Sequence, residues 1–235
     1  MELLRTLQEK VAPHRAAVVV VDVQNDFCHC DGFLGKLGAP LGSIEAMLPK
    51  LDAFLASARK AGVPIIHVIS HHDERYASPV VTAQKLRHGL PMELDGRPLR
   101  DAPYCISGTW GAELATVQAL PGEEIVIKHR YSGFHNTNLD LVLRTQGIQT
   151  VILAGVATNA CVESTARDTY MHDYYLVLAS DGCASPSQAA HDMTLTNVDQ
   201  YFGQVATMSE IESNWTSAAG PAKNATKPAP VAADG

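Results

Sequence analysis

The fold class is decided by AAVVVV at residues 16–21, which DVQNDF follows at once at residues 22–27. The apolar run is mostly β-branched and does not alternate with polar residues, which is typical of a strand covered on both faces. Runs of similar character recur at residues 63–69, 125–127, 150–153 and 175–178, with a shorter one at 204–208. Strands buried on both faces belong to parallel sheets, so the sequence predicts an α/β protein.

Helical patterns fill the intervals between these runs, at residues 48–60, 139–145, 159–172 and 187–198. Glycines follow two of them, Gly62 and Gly147, at the place where a helix commonly ends. Strands that alternate with helices predict a three-layer α/β/α fold with a mostly parallel central sheet. In such sheets, ligands bind outside the carboxyl ends of the strands.

The length of 235 residues suits one sizeable α/β domain. We expect it to span residues 1–215, with a disordered tail at 216–235, where large apolar side chains are scarce. A net charge of -7 argues against nucleic-acid binding, and no apolar run is long enough to span a membrane. Five irregularly spaced cysteines and the absence of an apolar signal core predict a cytoplasmic protein with free thiols.

Three reactive side chains stand at or just after predicted strands: Asp22 after the first, Lys128 at the end of the third, and Cys161 after the fourth. They should meet at one edge of the sheet. A helix N-terminus and a nearby cation both lower the pKa of a thiol, so we expect Cys161 to be an activated nucleophile. Each residue taken singly fits a cap, a surface lysine or a core cysteine, and only their joint placement favours catalysis.

The motif at residues 22–27, Lys128 and GVATNACVESTARD at residues 155–168 resemble the isochorismatase-like cysteine hydrolases. The resemblance covers about residues 10–213 and implies their Rossmann-like fold. It is closest to the ureidoacrylate amidohydrolase branch, through KHRYSGF at residues 128–134 and GTW at residues 108–110.

This resemblance implies a catalytic triad of Asp22, Lys128 and Cys161. It also implies a cis peptide bond between Val156 and Ala157, and an oxyanion hole formed by the N–H groups of Ala157 and Cys161. The implied reaction is cleavage of a ureido, carbamoyl or amide C–N bond through a thioester, with release of ammonia and without a cofactor. Relatives of this type are commonly homo-oligomers, so we expect a dimer or tetramer.

Residues 70–122 show little periodicity, and we expect them to cover the substrate, with one short helix near residues 109–119. The expected substrate contacts are Asn25, Phe27, Phe33, His72, Trp110 and Tyr131. Because the branch tends to have tyrosines and a tryptophan in its first loops, the phenylalanines and the His71-His72 pair leave other substrates open. Biuret, triuret or another N-carbamoyl acid would suit the same chemistry.

We expect no metal at the site. Nicotinamidases of this fold use an Asp-x-His pair, which is missing here, although HHD at residues 71–73 and CHCD at residues 28–31 contain zinc-ligand types. Neighbouring ligands on an extended segment point to opposite faces, which disfavours the second set. Two other functions stay open: a vinyl-ether hydrolase of the isochorismatase type, against which Cys161 argues, and a non-catalytic binding module, which the complete triad disfavours.

Overall fold

Strands and helices alternate along the chain in the computed structural model, which describes residues 3–94 and 97–217. The strands are β1 (Ala16–Val21), β2 (Ile65–Ser70), β3 (Glu93–Leu94), β4 (Arg97–Pro98), β5 (Glu124–Lys128), β6 (Thr150–Val156), β7 (Tyr175–Ala184) and β8 (Gln204–Ala206). The helices are α1 (Leu7–Lys10), α2 (Asn25–Cys28), α3 (Phe33–Lys36), α4 (Gly42–Ala61), α5 (Pro79–Arg87), α6 (Leu139–Thr145), α7 (Glu163–Met171), α8 (Gln188–Tyr201) and α9 (Met208–Ser217).

Six of the strands form one sheet in the order β5-β2-β1-β6-β7-β8, and every neighbouring pair in it is parallel. The chain moves outward from β1 through β2 to β5, then returns to the other side of β1 with β6. The switch point of the topology therefore lies between β1 and β6, where ligands bind in sheets of this kind. The predicted three-layer α/β/α fold with a parallel central sheet is confirmed.

The apolar core has two halves, one on each face of the sheet. Successive residues of β1 alternate between them, with Val18 and Val20 in one half and Val19 and Val21 in the other. The first half packs against α4 and α9, and the second packs against α6, α7 and α8. Burial on both faces explains why β1 is apolar throughout instead of alternating.

The covering segment, residues 70–122, differs from its prediction. Its helix is α5, whereas residues 110–112 form only a single 3-10 turn. The expected helix at residues 109–119 is wrong because this stretch pairs with the chain that leaves β1. Asn25 N–H donates to Glu113 O (3.0 Å), and Ala115 N–H donates to Val23 O (2.9 Å). These backbone groups are therefore not available for a helix.

The C-terminal helix α9 closes the domain against its N-terminal end. The indole N–H of Trp215 donates to Val11 O at 2.8 Å, and the ring stacks on Phe54 with centroids 5.1 Å apart. Helix α9 runs to Ser217, just past the predicted boundary at residue 215, and the rest of the predicted tail lies outside the described residues. None of the helices described is long and apolar enough to cross a membrane.

Candidate active site

The carboxyl ends of three strands bring Asp22, Lys128 and Cys161 together. Asp22 directly follows β1 with a positive φ of 54°, and its N–H donates to Val68 O on β2 at 2.8 Å. Lys128 is the last residue of β5, and Cys161 lies in a π turn, Thr158–Val162, that follows β6. All three side chains are buried.

Asp22 and Lys128 form an ion pair in which Nζ lies 2.8 Å from Oδ2. Ser70 links the two residues as well: Lys128 Nζ donates to Ser70 Oγ (2.7 Å), and Ser70 Oγ donates to Asp22 Oδ1 (3.0 Å). Lys128 Nζ also donates to Arg130 O at 3.1 Å. Within the described chain, Asp22 Oδ2 has only the ion-pair contact and accepts no hydrogen bond of ordinary geometry. That oxygen is therefore open to a proton donor.

The charge on Lys128 is secured by its neighbours. Burial by itself lowers the pKa of this ammonium, but the negative charge of Asp22 and the contact with Cys161 outweigh burial and raise the pKa above its usual value. Lys128 thus stays protonated at neutral pH, and a buried carboxylate keeps a permanent counter-charge.

The thiol of Cys161 lies close enough to both members of the pair for each of them to act on its pKa. Burial, followed by the charge of Asp22, raises its pKa to about 12, although Lys128 acts in the opposite direction. The cation thus acts in the expected direction, but burial and the carboxylate outweigh it, so the net shift of the pKa is upward and the expected activation by a lowered pKa is wrong. Burial disfavours the thiolate, and the nearby carboxylate adds to that effect. At neutral pH the sulfur carries its proton, so attack requires a nearby base, and Asp22 is the carboxylate that acts on this thiol.

The backbone before Cys161 has an unusual course. The peptide bond between Val156 and Ala157 is cis, and both residues line the same cavity as Cys161. The carbonyl of Ala157 accepts from the N–H groups of Ala160 (3.0 Å) and Val162 (3.3 Å). Across the part of the chain that the structure describes, the N–H of Ala157 has no acceptor. A free N–H donor is thus present in the cavity wall that contains the thiol.

A cavity of about 390 Å³ opens onto Asp22 and Cys161. Its volume is within the range of small-molecule sites, roughly 300–1,000 Å³. Most of its wall is apolar, including Phe27, Phe33, Leu34, Val80, Val81 and Leu90. Polar groups among the lining side chains include Ser70, His72, Lys85, Tyr104 and Tyr131.

Four of the six expected substrate contacts line this cavity: Phe27, Phe33, His72 and Tyr131. His72 is held in position by its Nδ1, which lies 2.8 Å from Asp101 Oδ2, both side chains being buried. Its ring meets Tyr104 edge-on at 5.0 Å.

The other two expected contacts, Asn25 and Trp110, are not among the cavity residues. The Asn25 amide donates to the carbonyl of Trp110 at 2.8 Å. This hydrogen bond holds the covering segment against the start of α2. The Trp110 ring is about half exposed and meets His29 edge-on at 5.2 Å. These two side chains therefore have a structural position in the loops instead of the expected place in the cavity.

The residues at or near the cavity that were not expected include Gln24, Ser70, Lys85 and Tyr104. Ser70 ends β2 directly opposite Lys128 on β5, so the rule about strand ends would have found it. The Gln24 amide donates to Ser70 O (2.9 Å) and accepts from Ser70 N–H (2.8 Å), which fixes that strand end beside Asp22. Lys85 and Tyr104 come from the aperiodic segment, where no sequence pattern marked them.

Of the possible metal ligands named from the sequence, His72 is the one that lines this cavity in the described chain. His72 is engaged with Asp101, and Asp73 accepts hydrogen bonds from Arg75, so HHD at residues 71–73 does not converge. One group of ligand types does come together in the described chain, with the ligand atoms of His29, Cys30 and Asp31 within 4.8 Å of one another. Their side chains do not point to opposite faces, as expected for an extended segment, because the chain turns at the end of α2. All three are exposed.

Comparison with known proteins gives a consistent result. A family model described as the isochorismatase domain matches residues 16–210. The ureidoacrylate amidohydrolase RutB of Rhizobium rhizogenes is 33% identical over 203 residues, which cover 85% of this chain and 82% of that protein. Among solved structures, a cysteine hydrolase from Pseudomonas syringae pv. phaseolicola has a TM-score of 0.74 at 26% identity, covering 92% of this chain and 98% of that one. An N-carbamoylsarcosine amidase from Thermoplasma acidophilum has a TM-score of 0.62 at 26% identity, covering 83% of this chain and 96% of that one.

Proposed function

Since the chain belongs to the isochorismatase family, we propose that it is a cysteine amidohydrolase that cleaves a C–N bond of a small ureido, carbamoyl or amide substrate. The observation that carries the proposal is that Cys161 and Asp22, the latter paired with Lys128, line the wall of one ligand-sized cavity. The names of two relatives, a ureidoacrylate amidohydrolase and an N-carbamoylsarcosine amidase, support hydrolysis of that kind of bond.

In the first half of the reaction, Cys161 attacks the carbonyl carbon while Asp22 accepts the thiol proton. The N–H groups of Ala157 and Cys161 bind the oxygen that becomes negative. Asp22 then passes the proton to the departing nitrogen, the C–N bond breaks, and the carbonyl carbon stays bonded to sulfur as a thioester. Lys128 keeps the carboxylate in place and balances its charge throughout.

In the second half, water attacks the thioester while Asp22 accepts a proton from it. The C–S bond breaks, and Cys161 recovers its proton. With a ureide, the carbamic acid formed by this cleavage loses carbon dioxide, so each turnover gives one ammonia, one carbon dioxide and the remaining amine. None of these steps requires an oxidant, a reductant or a cofactor.

Ureidoacrylate-like acids are the substrates that the relatives' names favour, with biuret, triuret and N-carbamoyl acids as alternatives. We place the enzyme in the cytoplasm, working as a homo-oligomer. The edge strand β5 supports assembly, because its Ile125 and Ile127 side chains are 47% and 43% exposed. Apolar groups in that position are commonly covered by another subunit.

The test is ammonia release from a panel of ureides by chelator-treated enzyme, measured with a coupled dehydrogenase assay. We expect turnover by the unmodified chain and a loss of about 10³–10⁶-fold in Cys161→Ala. Cys30→Ala is the matched control, since that thiol is exposed and outside the cavity, and it should retain turnover. A folded Cys161→Ala variant that still releases ammonia would refute the proposal, as would pyruvate release from isochorismate without any ammonia release.

A further inference from the structure

Lys85 is a cation in the cavity that the reaction just described does not use. It lies on α5, its side chain is 8% exposed, and its Nζ donates to the hydroxyl of Tyr131 at 3.1 Å. The same nitrogen is 4.8 Å from the centre of the Tyr104 ring and 5.3 Å from that of Tyr131. Two aromatic rings thus hold the ammonium in place without neutralising it.

The charge of Lys85 has no acidic partner among the residues described. An ammonium has three donor positions, and one hydrogen bond, to Tyr131, is present. Asp22 is the acidic side chain in the cavity wall, and it is already paired with Lys128. A buried cation without a counter-charge is costly, so an anion that enters the cavity gains a strong interaction there.

The walls around Lys85 are more apolar than a small ureide needs. Val81 lies one turn before Lys85 on α5, and Leu90 follows the same helix. Phe27 and Phe33 pack around the Tyr104 ring at centroid distances of 5.2 and 5.3 Å. Ureidoacrylate has no apolar group beyond its carbon–carbon double bond and would leave most of this surface without a partner.

We infer that Lys85 binds the carboxylate of the substrate and that the apolar walls bind a bulky hydrocarbon group next to it. The substrate class that meets both conditions is an N-carbamoyl derivative of a hydrophobic amino acid. This inference rests on the proposed function, because the carbamoyl group must lie at Cys161 for hydrolysis. It makes Lys85 a specificity-determining residue contributed by the covering segment.

Three ureides test the carboxylate and the bulky hydrocarbon group independently of each other. N-carbamoylphenylalanine has both the carboxylate and the ring, phenethylurea lacks the carboxylate, and N-carbamoylglycine lacks the ring. With kcat/KM from ammonia release, the first should exceed each of the others by about 10- to 100-fold, the size expected for one hydrogen bond to a charged group or one buried aromatic group. Ureidoacrylate, which also lacks a bulky group, should fall with N-carbamoylglycine.

Lys85→Met keeps the apolar stem and removes the charge. It should lower the ratio of kcat/KM for N-carbamoylphenylalanine over phenethylurea by about 10- to 100-fold. Lys85→Gln serves as a second variant if the methionine variant does not fold. Lys60→Met is the matched control, because Lys60 is exposed at the far end of α4, and it should leave the ratio unchanged.

Binding separates a failure of this inference from a failure of the proposed function. Calorimetry with Cys161→Ala should show N-carbamoylphenylalanine binding that weakens about 10- to 100-fold when Lys85→Met is added, whether or not any ureide is hydrolysed. An unchanged affinity and an unchanged substrate ratio in the Lys85 variants would overturn the assignment. A preference for N-carbamoylglycine or ureidoacrylate over N-carbamoylphenylalanine would overturn the bulky substrate class.

Discussion

The ion pair between Asp22 and Lys128 should show strong energetic coupling in a double-mutant cycle. The perturbations are Asp22→Asn, Lys128→Met and the two together. Asn keeps the shape of the carboxylate and an oxygen for Ser70, whereas Met keeps most of the length of the lysine stem. Each single variant leaves one buried charge without its partner, and the double variant leaves none.

The expected magnitude follows from the separation and burial of the two charges. At 2.8 Å between Nζ and Oδ2, and with an effective dielectric constant of about 20, their attraction is about 6 kcal/mol. Much of this offsets the cost of removing both charges from water. Each single substitution should lower the free energy of unfolding by about 3–5 kcal/mol because it leaves an uncompensated charge. The loss of unfolding free energy in the double variant should be smaller than the sum of the two single losses by at least about 3 kcal/mol.

Urea denaturation followed by tryptophan fluorescence is the appropriate assay, since Trp215 is buried against Phe54 and reports on the core. The surface pair Arg144–Asp140 supplies the control cycle, because its side chains are 58% and 35% exposed. Exposed pairs of this kind couple by about 0.3–0.5 kcal/mol. If the Asp22 and Lys128 substitutions are additive within about 0.5 kcal/mol, the two charges do not interact as the structure indicates.

Two further outcomes follow from the same geometry. The first is measured in a Cys30→Ala background, which removes the exposed thiol. Because the charge of Asp22 raises the pKa of Cys161, Asp22→Asn should make Cys161 react faster with iodoacetamide at pH 8 while it abolishes turnover. In the Cys30→Ala protein with Asp22 intact, the rate of Cys161 alkylation should keep rising with pH above 10. A plateau of that rate near pH 7, or slower alkylation in Asp22→Asn than in this protein, would contradict the raised pKa. Gly155→Ala should cost more than about 3 kcal/mol of unfolding free energy, because the added Cβ would overlap a carbonyl oxygen of β1. The control is Gly147→Ala, which is also at positive φ but in open space. It should cost about 1–2 kcal/mol in the same denaturation assay.

The sequence was sufficient for the sheet and for the residues at its edge. Strands buried on both faces have an apolar signature, and their ends locate Asp22, Lys128 and Cys161 before any coordinates are known. The predicted family is confirmed by the domain match and by the relatives, which also support amidohydrolase chemistry. The catalytic roles of individual residues stay a prediction until the variants are measured.

The covering segment was beyond prediction because its course is set by contacts distant in sequence. The carboxylate of Asp26 accepts the N–H of Phe33 (3.0 Å) and that of Cys105 (2.6 Å), and so joins two loops that no periodic pattern relates. This arrangement brings Tyr104 to the cavity, and α5 brings Lys85. The direction of the pKa shift at Cys161 was missed for a similar reason: the sequence indicates a nearby cation, but the depth of burial follows only from the packed structure.

Mass spectrometry of the acid-quenched enzyme during turnover of a ureide tests the central claim most directly. We expect the acyl or carbamoyl group of the substrate on the peptide that contains Cys161, and no such adduct on the peptides that contain the other four cysteines. An adduct on a different residue, or sustained ammonia release by a Cys161→Ser variant that forms no adduct, would contradict a nucleophilic Cys161.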